Sequence, residues 1–129
     1  MKKDLTKQLA KKYPKLFHYY LNPSRTRYPI GLGLECGEGW YQIIDEALEK
    51  LSKIDEVVLF QIKEKFGGLR IYVGDKPSEH NKEIGDIIHA AEEKAWKTCE
   101  YCGKPGKTKG GGWILTLCDE CEEKRKARK

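Results

Sequence analysis

Cys99-Glu100-Tyr101-Cys102 and Cys118-Asp119-Glu120-Cys121 are two Cys-x-x-Cys pairs separated by fifteen residues. Thiolate sulfur is a soft ligand, and two knuckles at that separation can set four sulfurs around one tetrahedral zinc, each tight turn supplying two of them. A closed four-sulfur shell leaves the metal no position for water or substrate, so the chemistry expected of it is structural. It builds a module and catalyses nothing. Structural zinc contributes on the order of 10 kcal/mol of apparent binding energy at neutral pH, more than so short a segment gains from a few apolar side chains. A redox role for Cys-x-x-Cys needs a helix N-terminus in a thioredoxin-like setting, and the second paired motif argues against it. Cys36 stands outside the spacing and reads as a small buried or loop thiol.

A second group is cationic and aromatic. Residues 57–66 are rich in β-branched and aromatic side chains, Gly67-Gly68 follows, and Leu69-Arg70-Ile71-Tyr72-Val73 comes next, which is a hairpin pattern. With the two glycines as the turn, Phe66 faces Leu69, Lys65 faces Arg70, Lys63 faces Tyr72 and Ile62 faces Val73. One face then carries Gln61, Lys63, Lys65, Arg70 and Tyr72; the other carries Phe60, Ile62, Phe66, Leu69, Ile71 and Val73, with Glu64 intruding on it. Lys65 directly across from Arg70 costs roughly a few tenths of a kcal/mol unless an anion or an acidic side chain sits there. A phosphate would relieve the repulsion, held by the planar fork of Arg and met by the hydroxyl or ring of Tyr. The same pattern also fits a solvated sheet face paired with Glu side chains from a neighbouring helix.

The stretch Gly31-Leu32-Gly33-Leu34-Glu35-Cys36-Gly37-Glu38-Gly39-Trp40 opens a helix and could turn backbone N–H groups toward an anion, although its own Glu35 and Glu38 oppose one. His18, His80 and His89 are isolated, and no catalytic motif is present, so the chain is expected not to be an enzyme.

These residues need elements to hold them. A short helix is expected over 4–12 with Asp4 as its cap, then a turn carrying Leu16, Phe17 and Tyr20. Residues 22–39 are too rich in Pro and Gly for a helix. Trp40, Ile43, Ile44, Ala47, Leu48, Leu51 and Ile54 follow the i, i+3, i+4, i+7 rule of an amphipathic helix. A third helix, capped by Ser78, would bury Ile84, Ile87, Ile88, Ala91 and Ala95. Residues 104–109 and 113–117 read as ribbon arms around a Gly110-Gly111-Gly112 tip, with a short charged helix from Asp119. The fold class expected is α+β: helices packed on a small antiparallel hairpin sheet over residues 1–97, and a zinc ribbon with a basic tail over 98–129.

Charged residues form 35% of the 129-residue chain, against about 25% in an average soluble domain, and no apolar run approaches the ~20 residues of a membrane span. The start lacks the apolar block of a secretory signal, and paired cysteines in ligand spacing suit a reducing compartment, so a cytoplasmic protein is expected. Residues 1–30 hold eight Lys or Arg against one Asp, and 99–129 hold eight against five acids, whereas 31–98 hold nine against fourteen. Basic ends suit a polyanionic partner, and also suit solubility alone.

Gly39-Trp40 at a helix start, Lys63-Glu64-Lys65-Phe66-Gly67-Gly68-Leu69-Arg70-Ile71-Tyr72, Thr98-Cys99-x-x-Cys102-Gly103-x-Pro105-Gly106 and Gly112-Trp113-x-x-Thr116-Leu117-Cys118-x-x-Cys121 together resemble a family of short bacteriophage and bacterial proteins, over roughly residues 36–121. In that pattern the last ligand is sometimes His; here Cys121 completes a four-sulfur set. The resemblance implies a phage or mobile-element accessory protein working in a bacterial host cell, and not a particular reaction. Two functions fit. One is the binding of a phosphate-bearing nucleotide by Lys63, Lys65, Arg70, Tyr72, Trp40 and Trp113, by analogy with small phage proteins that sequester a host immune nucleotide signal. The other is a ribbon that binds DNA or RNA through Lys104, Lys107, Lys109 and the basic residues 124–129, with Trp113 free to stack. A protein-binding adaptor is a third reading.

Overall fold

The computed structural model describes residues 1–22, 29–74, 79–109 and 114–127. In chain order these form α1 (Lys3–Lys12), α2 (His18–Leu21), 3-10 turns at Pro29–Leu32 and Glu38–Trp40, α3 (Tyr41–Ser52), β1 (Leu59–Lys65), β2 (Gly68–Val73), α4 (Asn81–Ala95), β3 (Lys107–Lys109), β4 (Leu115–Leu117) and α5 (Asp119–Ala127). The architecture is α+β, with antiparallel pairs β1–β2 and β3–β4 as separate two-stranded sheets. Among the described residues no helix is long and apolar enough to cross a membrane.

The core follows the helical stripe. Trp40, Ile44, Leu48 and Leu51 are fully buried, and Ile43, Ala47 and Ile54 nearly so, each large side chain contributing about 1.5–3 kcal/mol by leaving water. α3 packs on α4, which in turn packs on β2. At that contact α4 buries Ala91 and Ala95, while Ile84, Ile87 and Ile88 sit half-buried at its edge. α1 adds Leu9 and Ala10, and the segment after it adds Leu16 and Phe17. Asp4 is not the cap of α1: Lys2 occupies that position and makes no side-chain cap bond, so Asp4 lies in the first turn, where its negative charge complements the positive end of the helix dipole. α1 is instead tied to α3 by Asp45, whose carboxylate takes Lys12 Nζ at 2.8 Å and Tyr13 Oη at 2.6 Å. Likewise His80 is the N-cap residue of α4; Ser78, the expected cap, lies outside the described residues.

The hairpin register differs from the expected one. Its turn is Phe66-Gly67, both at positive φ (53° and 83°), and Lys65 faces Gly68, Lys63 faces Arg70, Ile62 faces Ile71 and Gln61 faces Tyr72. Two consecutive positive φ angles make the type I′ turn that matches strand twist, and Gly suits its second position. Gly68 belongs to β2 for another reason: a Cβ there would lie 2.6 Å from Trp96 Cζ2, so the indole rests directly on the strand backbone. Because the register moves by two residues, the side chains of Ile62 to Lys65 and of Leu69 to Val73 keep their faces.

The membership of the apolar face changes at both ends. A bulge between Leu59 and Gln61 turns Leu59 into the core, leaving Phe60 half-buried against Tyr19 with ring centroids 5.6 Å apart. Phe66, expected inside, is 66% exposed in the turn. Glu64 stays on the inner side and turns its Oε2 to the Gly67 N–H at 2.7 Å, which answers how a carboxylate is tolerated there. The open edge of β1 is covered where Glu35 forms a parallel bridge beside Lys63.

Candidate functional site

The four sulfurs of Cys99, Cys102, Cys118 and Cys121 all lie within 4.8 Å of one another, with Cys102 Sγ 3.5 Å from Cys118 Sγ. A tetrahedron with metal–sulfur bonds of ~2.3 Å has edges of about 3.8 Å, so the cluster has the dimensions of a metal shell. Each knuckle is made by its backbone. Gly103 N–H donates to Cys99 O at 3.0 Å, Cys99 N–H donates to Lys104 O at 2.8 Å, and Cys121 N–H points to Cys118 Sγ at 3.4 Å. The second pair is delivered by β4 and the first turn of α5. Leu115 and Leu117, buried beside Cys99 and Cys118, form a small core separate from the main one.

Burial pushes the Cys99 thiol up, but backbone N–H groups of Cys118, Cys102 and Tyr101 outweigh it and bring the pKa down to about 7. Cys121 moves the opposite way, up to about 12, through burial and proton sharing with the neighbouring sulfurs. Four adjacent thiols cannot all ionise without a cation among them; a divalent metal supplies that charge and releases the protons. The residues therefore fit a structural metal ion.

The ribbon is fastened to the body at two places. Trp40 is fully buried and its Nε1–H donates to Thr98 O at 2.9 Å, while Gly39 N–H donates to Glu100 O at 2.7 Å. A Cβ on Gly39 would collide with the Cys99 carbonyl, so the knuckle sits directly on this backbone. Glu100, only 4% exposed, accepts the Gly37 N–H on Oε2 at 2.9 Å, and its Oε1 has no hydrogen-bond partner among the described residues. Burial raises its pKa, the Gly37 N–H opposes this, and nearby Glu64 adds to the rise. The glycine loop, whose sequence suits an approaching anion, thus meets the ribbon's own carboxylate. The second fastening is at the hairpin turn, where Thr116 Oγ1 donates to Gly67 O at 2.6 Å and lies 3.0 Å from Thr108 Oγ1.

The cationic face sits beside that second fastening. Gln61 with Tyr72, Lys63 with Arg70, and Lys65 with Gly68 form successive rungs on one side of the sheet. Lys63 and Arg70 are half-buried, and Lys65 and Tyr72 are exposed. Arg70 Nη1 bonds only back to Leu69 O at 3.2 Å, and among the described residues none of the three cations has a carboxylate partner. The like-charge rung is therefore Lys63–Arg70 and not Lys65–Arg70. The alternative reading, a solvated face paired with Glu side chains from a neighbouring helix, finds no such pair among the described ion pairs.

Of the six residues expected to touch a ligand, Lys63, Lys65, Arg70 and Tyr72 share this face. Trp40 does not join them: at 0% exposure it is core and linchpin of the ribbon contact, with no surface for a ligand. Trp113 lies outside the described residues. Trp96, which the sequence pattern does not single out, does join: the indole and Arg70 Nη1 both approach the bare Cα of Gly68, at 2.6 and 3.2 Å from where a Cβ would stand. The signal was the second glycine, which a two-residue type I′ turn does not need and which in a strand marks a close approach. Comparison of the chain with known protein families, with curated proteins and with solved structures finds no match.

Proposed function

We propose that this chain is a non-enzymatic binding protein that takes the phosphate of a nucleotide-type ligand on the β1–β2 face, with zinc in the four-cysteine cluster holding the ribbon against the hairpin turn. The observation that carries the reading is the rung of Lys63 and Arg70, two cations directly opposed and, among the described residues, without an acidic partner, flanked by Lys65, Tyr72 and Trp96. Like charges held together cost folding energy that an anionic ligand returns on binding. The ribbon has less to offer a polyanion. Lys104 is 3.6 Å from Glu120, Lys109 is 3.1 Å from Asp119, and Arg125 and Lys126 each approach Glu122 at 3.9 Å. Those carboxylates lower the potential a phosphate would meet there. Zinc is favoured over other metals because four thiolates in a tetrahedral shell suit its soft, geometry-tolerant chemistry. Sequestration of a nucleotide signal, as a phage accessory protein would perform it, needs only such binding.

Calorimetric titration with ATP, ADP-ribose, a cyclic dinucleotide and a short oligothymidylate tests this directly. Saturable binding of a small nucleotide is expected, with a rise in melting temperature. Arg70→Ala should weaken it roughly 10- to 100-fold, the worth of a charge-assisted hydrogen bond of ~1.5–3 kcal/mol. If deletion of residues 122–129 removes all binding while Arg70→Ala changes nothing, the ribbon and tail are the site and the proposal fails. Metal analysis of the purified protein should find zinc in equal amount with the chain, and none in Cys99→Ser.

A further inference from the structure

Phe66 occupies a place that a phenylalanine has structural reasons to avoid. It is the first residue of a type I′ turn at φ 53°, a region that Asn, Asp and Gly enter readily and a bulky side chain does not. It gains nothing from burial in return, being 66% exposed. The turn beneath it is also unusually well held. Glu64 Oε2 accepts the Gly67 N–H at 2.7 Å from the inner side, Thr116 Oγ1 donates to Gly67 O at 2.6 Å, and Ile114 and Thr108 of the ribbon lie within 3.4 Å of where a Gly67 side chain would begin. An exposed ring on so braced a backbone is presented, and keeping it there costs stability. Lys65 Nζ lies 5.8 Å from the ring centroid, and the Lys63–Arg70 rung is two residues further along, ~7 Å at strand rise. One nucleotide covers that span between its base and its phosphate.

We infer that Phe66 is a stacking platform for an unpaired nucleobase whose phosphate is held by Lys63, Lys65 and Arg70. The charge complementarity of those three cations commits the ring to an anionic, base-bearing partner, whether a free nucleotide or a single strand. The inference rests on the phosphate-binding reading above and adds the part of the ligand that distinguishes a nucleotide from any other polyphosphate. The ribbon gains a role as well, since through Thr116 it fixes the turn that carries the ring.

Phe66→Asn in the full-length, metal-loaded protein is the decisive variant. Asn-Gly is the preferred type I′ pair, so this variant should keep the turn and melt no lower than the parent. Its affinity for ATP and for a short oligothymidylate should fall about tenfold, ~1.4 kcal/mol, within the range of one base stacked on an aromatic ring. Binding of inorganic tripolyphosphate, which has no base, should be unchanged, and Phe66→Trp should restore nucleotide affinity. A larger loss for oligothymidylate than for ATP identifies a single strand as the source of the base, and the reverse identifies a free nucleotide. Unchanged nucleotide affinity in Phe66→Asn, with Arg70→Ala still defective, overturns the stacking role and leaves the phosphate site standing. Equal weakening of nucleotide and tripolyphosphate also overturns it, because the ring would then act only on the cations. If the parent binds neither probe, both proposals fall together. Loss of binding to anionic vesicles in Phe66→Asn with nucleotide affinity intact would make the ring a membrane contact and end the inference.

Discussion

Single residues in this chain are asked to do opposite things, and their cost is measurable. Phe66 holds a backbone angle better suited to Asn, so Phe66→Asn should raise stability by about 1 kcal/mol in denaturant unfolding, even as it removes an exposed ring. Gly68 shows the converse. Gly68→Ala places a methyl 2.6 Å from Trp96 Cζ2 and should destabilise by about 1–3 kcal/mol through overpacking, read as a lowered denaturant midpoint at constant m-value. Asp45 gathers Lys12 and Tyr13. Burial pushes its carboxyl up, but the Lys12 and Tyr13 hydrogen bonds more than reverse this and leave its pKa below the ordinary 3.8. A depressed folded-state pKa gives stability that is present above the unfolded value and is lost as pH falls through the folded one. The α1–α3 tie should therefore hold down to about pH 4 and weaken below it, and Asp45→Asn should flatten that acid limb while costing about 1 kcal/mol at neutral pH.

At the scale of elements, a buried hydroxyl hydrogen-bonds the ribbon to the hairpin turn where Ile114 and Thr108 also pack against it. Thr116 is fully buried, donates to the carbonyl of Gly67 and lies beside Thr108. Thr116→Val keeps the shape and leaves that carbonyl unpaired, at a cost of about 1–3 kcal/mol. Hydrogen exchange should show the loss first in β3, β4 and the hairpin turn, with α3 and α4 protected as before. The ribbon itself, with Leu115, Leu117 and two buried cysteines as its core, is too small to fold on apolar burial. Removing the metal with a chelator, or Cys99→Ser, should melt residues 99–121 while the Trp40 helix and β1–β2 remain folded. Loss of the whole fold in one transition would show that the Glu100 and Trp40 contacts make the two parts a single cooperative unit.

For the molecule as a whole, a metal bound by the four sulfurs would make its loading and proton release one equilibrium. Cys121 sits at about 12 and Cys102 is also raised by burial, so protons must leave those sulfurs as metal arrives, whereas Cys99 at about 7 gives its proton up readily. Zinc affinity should fall as pH drops and rise as it climbs, measured by competition with a chromophoric chelator; a flat profile from pH 5 to about 8 would exclude thiolate ligation.

The chain's own pattern was enough to determine the four-cysteine cluster, the α3 stripe, the antiparallel ribbon pair and the face shared by Gln61, Lys63, Lys65, Arg70 and Tyr72, though not the places of Phe60 and Phe66. Each depends on spacing along a short stretch: two residues between cysteines, 3.6 per helical turn, two per strand pleat. A register shift of two residues left the faces intact for the same reason. Tertiary structure alone decided the rest, because each remaining choice depended on what came across from a distant segment. Trp96 claimed Gly68 for β2 and moved the turn onto Phe66. Glu100 took the glycine-loop N–H groups, and Thr98 took the Trp40 indole, so that loop and ring became joints and not ligand contacts. That no described ion pair engages Lys63 or Arg70, even with Glu35 bridged beside Lys63, is what makes an ordinary basic strand pair a candidate phosphate site, and it too depends on three-dimensional neighbours.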